Sequence, residues 1–139
     1  MPRFFYPILL LSIAMLSNGL SAAEIIVHRA VKQETVTLNV ARLLFTMRLL
    51  RWSDGKRVRV FVLPDPHPLH RLFTKQRLDL YPRQLRRVWD RHLFSGSGAV
   101  PVTVDSVDEM LKRVSETPGA VGYLPDGLAT ETVRIIHVE

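Results

Sequence analysis

Between Asp105 and Pro125 the chain reads DSVDEMLKRVSETPGAVGYLP, a helical pattern that gives way to a strand pattern within a few residues. Val107, Met110, Leu111 and Val114 recur at i, i+3, i+4 and i+7, which aligns one apolar stripe along a helix. Asp105 is the expected cap of its first turn, and Asp108 follows in a capping-box-like spacing that suits the helix dipole. Pro118 and Gly119 stop the helix. Ala120–Leu124 then reads as a short buried strand whose glycine admits close approach by another group. A helix running straight into a buried strand belongs in a layered α/β core.

The N-terminus carries an address. Arg3 is the only charged side chain before Glu24, an apolar run covers Phe4–Leu16, and Ser21-Ala22-Ala23 offers small residues ahead of Glu24. That is the three-part layout of a secretory signal peptide, expected to span residues 1–23 with cleavage after Ala23. The apolar run falls short of the roughly 20 residues that a spanning helix needs. Residues 24–139 then form one domain, with room for a single core. The chain has no cysteine, so it is built without disulfides or thiol chemistry, and an exported chain of this kind suits a bacterial periplasm.

Charge is unevenly distributed. The formal net charge is +6, and Arg48–Arg91 holds twelve Lys/Arg against four Asp/Glu. From Asp105 to Glu139 the balance reverses, with seven acids against three bases. A basic half invites an anionic partner such as a phosphate-like ligand, a lipid headgroup or an acidic protein. Export argues against nucleic acid as that partner.

The remaining elements alternate. Ile25–His28 reads as a strand, and Thr37 as the cap of a helix with Val40, Leu43, Leu44 and Met47 on one face. Trp52-Ser53-Asp54-Gly55 is a turn, and Arg57–Leu63 is a strand that becomes wholly apolar as it enters the core. Pro64–Pro68 cannot extend the sheet. Two helices follow: one opens at Pro68 with Leu69, Leu72 and Phe73, the other at Pro82 with Leu85, Val88, Trp89, His92 and Leu93. Ser95–Gly98 is a loop, Val100–Val104 a short strand, and Thr132–Val138 a closing strand. The order predicts an α/β fold on a mixed sheet flanked by helices.

Four separated segments, taken in order, resemble the phosphate-binding substrate-binding proteins of ABC transporters. They are Leu44–Arg48 with the Trp52 turn, Val58–Leu63 with the following Phe73 helix, Tyr81–Gly96 with Trp89 and Phe94-Ser95-Gly96, and Pro118–Pro125. The resemblance covers most of Ile25–Leu124. It implies a single lobe of a type II periplasmic-binding-protein-like fold over residues 24–139, with no cofactor and no enzymatic activity. It also implies phosphate or a related small oxyanion as ligand, and a membrane transporter or sensor as partner.

The chain departs from the family where the ligand should sit. In place of a Ser-Gly-Thr type run it has Leu63-Pro64-Asp65-Pro66-His67-Pro68-Leu69, where two prolines lack the N–H that an oxyanion uses. Candidate ligand-binding residues are therefore His67, Leu69, His70 and Arg71 at the following helix, together with the Ser95-Gly96-Ser97 loop, whose successive N–H groups suit a phosphate. His67 and His70 are spaced for a metal, but no third ligand accompanies them. No nucleophile elbow, HExxH or P-loop occurs. Loss of the ligand site would leave the alternative of an interaction protein that docks through its basic face.

Overall fold

The computed structural model describes residues 22–96 and 98–139. The expected signal peptide up to Ser21, and Ser97, lie outside the described residues. Strands are β1 Ala23–His28, β2 Thr35–Val36, β3 Arg59–Val62, β4 Val102–Thr103, β5 Ala120–Pro125 and β6 Val133–Val138. Helices are α1 Leu38–Phe45, α2 Pro68–Phe73, α3 Pro82–Phe94 and α4 Val107–Glu116, and a π-helical turn, Thr74–Leu78, continues α2.

One six-stranded sheet runs in the order β2-β6-β1-β5-β3-β4. β1 is antiparallel to both neighbours, while β2 with β6, β3 with β5, and β4 with β3 are parallel. Ile25 sits opposite Tyr123 on one side and Ile136 on the other. Ile25, Ile26 and Val27 are all buried, as a strand covered on both faces requires. The expected cleavage point falls inside this strand: the Ala23 N–H donates to Gln76 Oε1 at 3.0 Å and its carbonyl accepts from Arg77 Nε at 2.6 Å.

Adjacent residues of β5 point to opposite faces. Tyr123 faces Phe73, stacked at 3.9 Å between ring centroids, and Phe45. Gly122 faces α4, where a Cβ would lie 2.6 Å from Met110 Sδ and 3.0 Å from Val114 Cγ2. Helix α4 therefore covers one face, while α1, α2 and the π-turn cover the other. Gly119 adopts φ +79°, and a Cβ there would run into the Arg57 carbonyl; its own carbonyl accepts from Trp52 Nε1 at 3.0 Å.

The local expectations hold with five adjustments. One is Leu93, expected on the apolar stripe of α3 but exposed near the helix end; in this helix Leu85 and Trp89 alone are buried. Helix α4 is capped by Ser106, whose Oγ accepts from Glu109 N–H at 3.1 Å, while Glu109 Oε2 accepts from Asp105 N–H at 2.9 Å. The box thus forms one residue later than the Asp105–Asp108 spacing suggests, because a serine hydroxyl at this position reaches the donor directly. Thr37 caps α1 as expected, at 3.2 Å from Val40 N–H. The buried face of α1 is Ala41, Leu44 and Phe45, with Leu43 only half-buried. Strand β2 and the π-turn were unexpected. The strand is two residues long, and the turn TKQRL has little apolar content to signal a helix.

Gly122→Ala is expected to lower stability by about 1–3 kcal/mol through overpacking against Met110. In urea unfolding, part of that loss should disappear when Met110→Ala is the background, as coupling between touching residues demands.

Candidate functional site

Strand β3 ends at Val62, and Leu63–His67 leads into α2. The Leu63 N–H donates to Tyr123 Oη at 2.8 Å, which pins this exit to the middle of β5. His67 caps α2: its Nδ1 accepts from Leu69 N–H at 3.1 Å, and its own N–H donates to Pro64 O at 2.9 Å. Proline at the first helical position and a used Leu69 N–H leave the first turn of this six-residue helix poor in donors.

His70 is fully buried, and its Nδ1 lies 2.5 Å from Tyr123 Oη. The Tyr123 hydroxyl proton needs an acceptor, and among the described hydrogen bonds His70 Nδ1 is the one open to it, which assigns the imidazole proton to Nε2. Burial pushes the His70 pKa down to about 4, against the pull of the Asp65 carboxylate, so the ring is neutral at pH 7. Burial likewise raises the Tyr123 hydroxyl, which stays protonated. His70 Nε2 makes no hydrogen bond among the described residues, and Asp65 Oδ1 stands off at 3.9 Å.

Asp65 is instead held by Arg86, whose Nε and terminal nitrogen reach its two oxygens at 2.9 and 2.8 Å. That bidentate pairing holds the Asp65 pKa below the usual carboxylate range, outweighing its partial burial. The Arg86 guanidinium also lies 5.1 Å from the Trp89 ring centre, which fixes its plane. Trp89 is anchored in turn by its Nε1–H, donating to Phe45 O at 2.9 Å.

An open cleft of about 440 Å³ lies over this pair, lined by Asp65, Pro66, Arg71, Tyr81, Arg83 and Arg86. Asp65 and Arg86 neutralise each other, whereas Arg71 makes no ion pair among the described residues. Arg83 lies 5.7 Å from the Tyr81 ring centre. The cleft therefore carries an excess of positive charge on exposed, fork-shaped donors suited to oxyanions. A second cavity, between Ala30–Gln33 and Trp52–Lys56, measures about 60 Å³ and has room for a few waters.

Of the sequence candidates, His67, Leu69, His70 and Arg71 share α2, but only Arg71 lines the cleft. His67 caps, Leu69 packs in the core, and His70 is sealed beneath Asp65. Ser95 and Gly96 stand at the far end of α3, roughly 14 Å along its axis from Arg86. The N–H groups of Ser95, Gly96 and Gly98 donate back to Arg91, Leu93 and His92 carbonyls, at the negative end of the helix. No local spacing in the sequence signals that α3 brings Arg86 to Asp65 and Arg83 to the same cleft. Among the described residues no three metal-binding side chains come together.

No protein family and no curated protein matches the sequence. Solved structures match the fold. An ABC-type phosphate transport receptor from Vibrio cholerae aligns with TM-score 0.63 at 15% identity, over 84% of this chain and 46% of its own. A substrate-binding protein assigned to a phosphate ABC transporter of Clostridium perfringens, crystallised with bound phosphate, aligns with TM-score 0.68 at 14% identity, over 84% and 44%. PstS from Borrelia burgdorferi aligns with TM-score 0.61 at 14% identity, over 85% and 47%. The chain thus has the fold of these substrate-binding proteins and spans less than half the length of each, as a single lobe does.

Unfolding should report the buried His70. A histidine whose folded pKa lies below its unfolded value stabilises the fold fully above the unfolded value of 6.5, and the stability drains as pH falls toward about 4. A loss of about 2 kcal/mol between pH 7.5 and pH 5 is expected, and His70→Gln should flatten that slope. Tyr123→Phe, which strands both Leu63 N–H and His70 Nδ1, should cost about 1–3 kcal/mol in the same assay.

Proposed function

We propose that this chain is the ligand-capturing lobe of an exported, periplasmic substrate-binding protein serving an ABC-type transport or sensing system. Its ligand is phosphate or a related small oxyanion, held in the cleft by Arg71 and Arg83 with Arg86 behind them. The observation that supports this most is the surplus of guanidinium groups over one open cleft, on the same fold as phosphate receptors. Capture would rely on side chains, because Pro66 and Pro68 lack N–H groups and the Leu69 N–H serves the His67 cap. Residues 24–139 would form the mature domain, and Ser95 and Gly96 lie away from the cleft lining.

A second reading rests on that same poverty of backbone donors. With Asp65 already occupying Arg86, the lobe would be a non-binding adaptor that docks to a membrane sensor, a transporter or an envelope assembly.

Titration calorimetry with inorganic phosphate and with sulfate separates the two. Heat with saturable binding is expected from at least one anion, and Arg71→Ala or Arg83→Ala should weaken it roughly tenfold or more, as loss of a charged hydrogen bond implies. Absence of heat and of any thermal shift at millimolar anion would favour the adaptor.

A further inference from the structure

The outward side of α3 carries a feature that the cleft does not use. Arg87, Arg91 and Phe94 fall at i, i+4 and i+7, so they share one exposed stripe of the helix. Phe94 is 90% exposed and its neighbour Leu93 is 56% exposed. Arg87 and Arg91 are exposed and form no ion pair among the described residues. The core side of the same helix is held by Leu85 and Trp89, so α3 cannot rotate to hide the stripe.

We propose that this face of α3 docks on an anionic lipid surface, with Arg87 and Arg91 over the headgroup phosphates and Phe94, beside Leu93, inserted at the acyl boundary. Charge complementarity sets the sign of the partner, since unpaired guanidinium groups along the stripe seek anions. The apolar part sets its kind. Two side chains at one helix end are enough to wedge into an interface, whereas a stable protein contact needs roughly 800 Å² of matched surface on each partner. Arginine stems also lie along an apolar boundary while their heads stay among phosphates. The surface is distinct from the oxyanion cleft, which Arg71, Arg83 and Arg86 line.

The test places an indole at the tip. Trp52 and Trp89 are buried, so in the full-length Phe94→Trp protein the exposed emission comes from position 94. Vesicles of phosphatidylglycerol and phosphatidylcholine in equal parts should shift that emission to the blue, and bromine-labelled acyl chains should quench it. Pure phosphatidylcholine should do neither. Adding Arg87→Glu and Arg91→Glu should raise the lipid needed for half-saturation by roughly tenfold or more, and about 0.5 M salt should weaken binding of the parent. Melting midpoint and phosphate titration of the charge-reversed protein should match the parent, because both side chains are exposed and outside the cleft. No shift on anionic vesicles, an equal shift on neutral ones, or an indole already shielded without lipid by a second copy or another protein would overturn the proposal.

Discussion

The hydroxyl of Tyr123 stands where β5, the end of β3 and helix α2 meet. It accepts the Leu63 N–H and donates to His70 Nδ1, and its ring stacks on Phe73. In a dry core each of these polar groups would be costly alone. Joined through one oxygen, they fix where the chain leaves the sheet and how α2 is turned. That turn sets the positions of Asp65 and Arg71, and Asp65 in turn sets Arg86. The cleft is thus an outcome of one buried hydroxyl on the central part of the sheet.

The opposite face of the same strand shows a different constraint. Gly122 leaves room for Met110 and Val114, so α4 lies close against β5. Glycine and tyrosine as neighbours divide the labour by the two-residue period of a strand: one admits a helix, the other ties down a loop. The close approach that the glycine signals in the sequence is made by side chains of α4.

Local signals were legible where they are local in physics. The α4 stripe, the Pro118-Gly119 stop, the Thr37 cap, the Trp52–Gly55 turn and the proline starts of α2 and α3 each depend on residues within a turn of one another. Ser106 displaced Asp105 as the cap because two good capping residues stand side by side, and spacing alone does not choose between them. The Ser95–Gly98 loop read as a phosphate cradle because glycine and serine allow one. The amides of Ser95, Gly96 and Gly98 close the end of α3, where the helix leaves carbonyls in need of donors. His70 was visible as a candidate, yet its partner Tyr123 lies 53 residues away and no spacing rule connects them.

The sequence by itself determined a layered α/β chain, its helix starts and stops, a buried closing strand and a strongly basic middle, since all of these follow from short-range pattern and composition. Only the tertiary structure decided that β1 runs antiparallel between β5 and β6, that Arg86 is neutralised by Asp65 while Arg71 makes no ion pair among the described residues, and that Phe94 stands out in solvent at the end of an arginine stripe. The reason is physical. Pairing of strands, ions and rings across the fold depends on distances between residues far apart in the chain, and these exist only once the sheet has brought them together.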